Sequence, residues 1–346
     1  MTARLTISSV VFLLCGFSLV AEAAVTNLTN PGTGPYVTIQ AALDNAATVA
    51  GDVIVVDAGT YDEAVTIIKA VTLKGANAGK DPLDFTRGAE SIIRNNNVRT
   101  NFKIGPVTSG TVTVDGFKII PDQTATAPVR SRGVYDNGIN SASATAVIRN
   151  NIISAYWDNG IRVTSGTATI TNNSIVGRGV QGDYSGDGVR VDAGSATIAN
   201  NELGGNQYNG AAGAGSACGL SLNAAATVDA DNNLIHDNIL GVHIKGIAGS
   251  HLPLATVNNC SIYSSTTLNF YYEVTGGGSP SSPYDAACNW WGSTDDPTIT
   301  ASISGSATHL SFLASGTDAD LVTSGFQPGV GTCTGVPVEL SHFSID

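Results

Sequence analysis

Two arginines sit in matching settings, Arg162 in Gly-Ile-Arg-Val and Arg190 in Gly-Val-Arg-Val. His243 holds the same place in Gly-Val-His-Ile, and an aspartate stands at the entrance of each arginine run, Asp158 and Asp187. A guanidinium fork grips a carboxylate in bidentate fashion, and two such forks side by side repel each other unless anions lie between them. The pattern suits a ligand that presents carboxylates in a row, which is what an acidic polysaccharide does. A histidine in the same row adds a group able to exchange a proton near neutral pH. Asp158 and Asp187 are the candidate metal ligands, and Ca²⁺ is the cation that carboxylate and carbonyl oxygens favour. The plain alternative is that both arginines are solvated and pair with aspartates close by, such as Asp158 and Asp192.

Such a row needs elements that repeat. Asn-Asn recurs at Asn150-Asn151, Asn172-Asn173, Asn200-Asn201, Asn232-Asn233 and Asn258-Asn259, with steps of 22, 28, 32 and 26 residues between the second members. A Gly-apolar marker recurs in phase with it, at Gly138-Ile139, Gly160-Ile161, Gly188-Val189, Gly219-Leu220 and Gly241-Val242. Each unit reads as strand, tight turn, strand, Asn-Asn, strand, variable loop, clearest from Gly160 to Gly177. Asparagine tolerates the left-handed backbone conformation and so makes a sharp bend without glycine. Units of this length with three short strands are the coils of an all-β parallel β-helix, a β-solenoid.

Side chains alternate along a strand. The marker therefore sends Ile161/Val163, Val189/Val191, Leu220/Leu222 and Val242/Ile244 inward. The residue between each pair points out, giving an outward column of Asn140, Arg162, Arg190, Ser221, His243 and Tyr271. Coils lie about 4.8 Å apart, so the column forms one polar stripe. In this reading Arg162, Arg190 and His243 are the candidate catalytic residues, and Asn140, Ser221 and Tyr271 are the candidate substrate contacts. His236 and Asp237 follow an Asn-Asn turn and read as loop residues.

The ends and the composition complete the frame. Arg4, the apolar run from Leu5 to Val20 and Ala21-Glu22-Ala23 make a signal peptide over residues 1–23, which predicts export. The mature chain then has no membrane span and a β-helix domain over residues 24–315. Ile39, Ala42, Leu43 and Ala46 fall on one helical face, predicting an amphipathic capping helix over residues 36–49. Strands are expected around 52–56, 64–68 and 71–74, with Gly59-Thr60-Tyr61 as a connection. Trp290 and Trp291 are expected to plug the far end of the core, and residues 316–346 read as a loose tail. Four cysteines remain after cleavage, Cys218, Cys260, Cys288 and Cys333, an even count compatible with two disulfides of unreadable pairing. A net charge of −12 and a pI near 4.6 disfavour a nucleic-acid partner. The chain is expected to act as a monomer.

At this point the residues resemble a known family. TIQAALDNA, GDVIVVDAGTYDEAVTI and VTLKGAN look like the N-terminal part of right-handed parallel β-helix proteins of the pectin lyase-like superfamily. NWWGSTDDP and FLASGTD resemble terminal-coil motifs of its bacterial members, and PVELSHFSID is similar to the segment before a C-terminal sorting domain in exported proteins. The resemblance spans roughly residues 36–318 and implies a right-handed coil. Activity is less determined, because the superfamily includes lyases, polygalacturonases, pectinesterases and members without activity, and fold alone assigns none of these. Pectinesterase and polygalacturonase catalytic segments are missing. Similarity to the lyases implies β-elimination from a uronate, with a Ca²⁺-carboxylate cluster neutralising the substrate carboxylate and an arginine as clamp or base. The expectation is a secreted or cell-surface protein that binds, and in the lyase case cleaves, an acidic polysaccharide. The competing expectation is a non-catalytic structural or adhesive β-solenoid.

Overall fold

The computed structural model describes residues 24–95, 100–121, 137–141, 145–156, 158–179, 186–207, 217–247, 252–275, 283–305, 307–330 and 333. The signal-peptide reading and the sorting-like segment fall outside these residues.

One unit shows how the chain is built. Strand Asn159–Val163 lies parallel between Asn137–Ser141 and the first part of Asp187–Ala199. Thr167–Thr171 lies between Thr145–Arg149 and the later part of Asp187–Ala199, and Ser174–Val176 between Ile152–Ser154 and Glu202–Gly204. Each strand therefore pairs with its counterpart one repeat away rather than with its sequence neighbour, and three parallel ladders result, here termed the first, second and third faces. The long strands Asp187–Ala199 and Cys218–Asp231 run through the corner between the first two faces, joining them as a sheet of 18 strands among the described residues. The third face is a separate sheet, of eight strands among the described residues. The chain is mostly strand with long parallel sheets, consistent with a β-solenoid.

Every apolar position that the marker sends inward from Ile161 to Ile244 is fully buried. Ala168, Ile170 and Ile198 join them from the second face, and Ile175, Leu203 and Ile235 from the third. Burying each large aliphatic side chain contributes about 1.5–3 kcal/mol. The marker glycines have a steric cause. A Cβ on Gly188 would lie 2.7 Å from the Gly219 carbonyl oxygen, and one on Gly160 would lie 2.7 Å from that of Gly188. Coils can stack at this distance only where no side chain intervenes.

The asparagine corner is more ordered than a series of polar turns. Asn150, Asn172, Asn200 and Asn232 have φ of 55–56°, while Asn151, Asn173, Asn201 and Asn233 are buried. Each buried amide donates to the next, from Asn151 to Asn173 at 3.0 Å, Asn173 to Asn201 at 2.9 Å and Asn201 to Asn233 at 3.0 Å. The fifth pair is displaced by one residue from the expected phase. Asn259, at φ 52°, is the left-handed residue, and Cys260 occupies the ladder position, with the Asn233 amide nitrogen 3.3 Å from its Sγ. Asn289 resumes the ladder by accepting from the Cys260 amide at 2.8 Å.

Two expectations about the ends are corrected, and one element is added. The capping helix is Ile39–Asp44 only, N-capped by Thr38 and ended by Asn45 at ψ 133°; Ala46 is exposed. A strand, Val25–Asn27, pairs antiparallel with Val53–Val56 and closes that end alongside the helix. Gly59–Asp62 is not a connection but a third-face strand in register with Ser91–Asn95, because Tyr61 has a core position to fill.

The tail is not loose as far as residue 330. Phe326 is buried, its amide donates to the Asn232 carbonyl at 2.9 Å, and Gly325 lies against the backbone of Asn200 and Asn232. The only disulfide among the described cysteines is Cys288–Cys333. Cys218 and Cys260 are buried free thiols, one on the first face and one in the asparagine ladder. Trp291 is buried edge-on to Phe270, as a core plug requires, whereas Trp290 is only half-buried. Among the described residues no helix is long and apolar enough to cross a membrane.

Candidate functional site: the arginine column of the first face

Backbone pairing places the column residues side by side, Asn140 with Arg162, Arg162 with Arg190, Arg190 with Ser221, Ser221 with His243 and His243 with Tyr271. Lys103 precedes Asn140 and Ser304 follows Tyr271 in the same column. Strand alternation and parallel pairing thus assemble six positions spread over more than a hundred residues of sequence.

What the side chains do is less uniform. Arg162 and Arg190 share one carboxylate, Asp192, at 2.6 Å and 2.7 Å. Asn223 donates to the same carboxylate at 2.8 Å, and Asp187 lies 3.9 Å from Arg190. Burial alone would raise the Asp192 pKa, but Arg190 and Arg162 outweigh it and hold the carboxyl below its usual range. Burial likewise works to lower the Arg190 pKa, and Asp192 overrides it and holds the guanidinium charged. A guanidinium held in this way is a clamp and a poor base.

His243 and Ser221 point outward by register yet are 1% and 5% exposed. The His243 ring stacks on Tyr271 with centroids 5.1 Å apart, and its Nε2 lies 3.2 Å from Glu273. Burial lowers its pKa more strongly than Asp187 and Glu273 raise it, so the ring is neutral at pH 7. In this covered position the ring is engaged by Tyr271 and Glu273 rather than presented to solvent.

Asp187 is nearly buried, and its Oδ1 accepts from the Ala217 and Cys218 amides at 3.3 Å and 3.1 Å. Asp158 accepts from the Asn159 side chain at 2.7 Å. Among the described residues no group of three or more His, Cys, Asp or Glu side chains converges to hold a metal ion.

A second row lies beside the column. Asp192, Asn223, Lys245 and Glu273 each stand two residues after a column member, on the same side of the same strand. The sequence already offers Asp192 as an arginine partner, and the i, i+2 spacing was the signal that could have found Asn223 and Glu273. A separate cluster lies on the third face. His236 belongs to strand Leu234–His236 rather than to a loop, with Glu202 at 3.3 Å and Asp237 at 2.8 Å, and Ser174 donates to Glu202 at 2.6 Å.

Comparison of the chain with family models, with curated proteins and with solved structures gives no match.

Proposed function

We propose that this chain is an exported right-handed parallel β-helix, akin to the pectin lyase-like superfamily, whose first face binds an acidic extracellular polysaccharide. The carrying observation is the Arg162–Asp192–Arg190 group, in which two guanidiniums one coil apart share a single carboxylate. Arg162, Arg190 and Lys103 set cationic groups along one column of a chain of −12, and Asp192 and Asp187 offset the charge of the two arginines. The ligand carboxylates would complete the coordination that Asp192 provides in part. Binding fits this geometry better than lyase chemistry, because Arg190 stays protonated and His243 is covered. Asp158 and Asp187 would be the residues nearest to a Ca²⁺ held with the substrate, and their present hydrogen bonds give it little open coordination.

A second reading, a non-catalytic structural or adhesive solenoid, is favoured by the same Asp192, since an arginine pair neutralised from within needs no ligand to be stable. Titration of polygalacturonate and alginate into the wild-type chain and an Arg162→Ala/Arg190→Ala variant, with and without Ca²⁺, separates the two. Binding that weakens at least about tenfold in the variant and with added salt supports the first reading. Equal affinity in both proteins, or none in either, leaves the structural solenoid. Growth of ultraviolet absorbance from an unsaturated product would restore the lyase.

A further inference from the structure

The second face carries a different surface. Its strands align Thr111, Thr145, Thr167, Ser195 and Thr227 as one outward column across five successive coils. Two residues further along each strand runs a second column containing Thr113, Thr169, Thr197 and Thr256, interrupted by Val147 and Asp229. Parallel pairing fixes the repeat at about 4.8 Å along the stack and about 6.8 Å across it. Threonine is β-branched, so each methyl and hydroxyl is held stiffly. Over the coils from Thr167 to Thr256 the surface dips into a shallow groove of about 470 Å³. Leu254, 68% exposed, stands at its wall.

Charge decides what such a groove can take. Its lining holds no lysine or arginine, and its one charged residue, Asp229, accepts from the Thr256 hydroxyl at 2.6 Å. A chain of −12 without local cations repels polyanions, so an acidic chain belongs on the first face and not here. We propose that this groove docks an uncharged, extended β-linked glycan laid along the stacking axis. Pyranose rings offer apolar faces and hydroxyl edges, which suit alternating methyl and hydroxyl groups. Their step in an extended chain is close to the coil spacing, and because successive rings turn over along such a chain, the same ring edge returns at every second coil. A flat crystalline partner such as ice fits less well, because Leu254 projects from the plane and Val147 and Asp229 break the hydroxyl lattice. The proposal stands independently of the arginine face.

Calorimetric titration of the full chain with cellohexaose, xylohexaose, laminarihexaose and mannohexaose tests it, with polygalacturonate in parallel. At least one neutral hexasaccharide is expected to bind. Thr197→Val/Thr227→Val keeps the β-branched shape, removes two hydroxyls and should weaken that binding roughly tenfold. Leu254→Glu should abolish it, and both variants should handle polygalacturonate as the wild type does. The proposal is overturned if none of the four sugars binds, or if both variants bind as tightly as the wild type. It also fails if neutral and acidic glycans are lost together in Arg162→Ala/Arg190→Ala, or if the chain is retained by ice and by none of the sugars.

Discussion

His236 and His243 show how position decides the sign of a proton's effect. Glu202 holds the His236 pKa above its ordinary value of 6.5 against the opposing effect of burial, with Asp237 assisting. Stability from this ion pair is therefore fully present below the unfolded value and is lost as pH rises through the raised folded one. Glu202 is held below its ordinary 4.5 first by the His236 hydrogen bond, so its share is present above that value and is lost in acid. The pair should be worth about 1 kcal/mol in the window between the two, given its partial exposure. His243 behaves oppositely. Burial depresses its pKa, so stability falls as pH drops below 6.5. Melting curves of the wild type and His236→Gln between pH 5 and 9 check this. The gap between the proteins should close as pH rises above 6.5, and a gap independent of pH would remove the ion pair from the account.

At the scale of the element, the ladder of buried asparagines makes each coil depend on the next. Asn201 donates to Asn233 and to the Ile170 and Ala199 carbonyls, and accepts from Asn173. Asn201→Leu keeps the volume and leaves these buried groups unpaired, at about 1–3 kcal/mol each, so a loss of at least about 3 kcal/mol is expected in denaturant unfolding. Cys260→Asn should do the reverse. It supplies a carboxamide where Asn233 now faces a sulfur at 3.8 Å, and a gain of about 0.5–1.5 kcal/mol follows if the amide seats as its neighbours do. A destabilised Cys260→Asn would mean that this coil is shaped around the smaller thiol.

At the scale of the whole molecule, two segments far apart in the sequence meet on the asparagine corner. Asp81 accepts from the Asn172 side chain at 3.0 Å and from the Ser324 hydroxyl at 2.7 Å, a link across 243 residues. Arg87 caps the Asn150 carbonyl at 3.0 Å, and the segment around Phe326 covers the next turns. The Cys288–Cys333 bridge closes a 45-residue loop around this strap, worth up to about 4 kcal/mol by chain entropy. Cys333→Ser should lower the melting temperature, and limited proteolysis of it should cut first within residues 316–330 while the coils persist. Phe326→Ala should expose the same segment at a cost of about 3–5 kcal/mol. A strap equally protected in both variants would show that neither anchor holds it.

The sequence by itself determined the repeat, the inward stack and the outward column, because parallel pairing in register turns a linear spacing into a spatial one. The glycine marker in particular fixed which side of each strand faces out, and the column from Asn140 to Tyr271 pairs as that marker requires. The asparagine marker worked until Cys260 replaced an asparagine. Counting Asn258-Asn259 as a pair then slipped the phase by one, since pattern alone cannot tell a ladder amide from its neighbour. Contacts between coils were beyond such reading. Only the tertiary structure decided that Asp192 joins both arginines, that His243 lies covered and that the strap crosses the corner to Asp81. Periodicity governs where a strand points, whereas loops, side-chain reach and long-range closure depend on three-dimensional distances that no local spacing encodes.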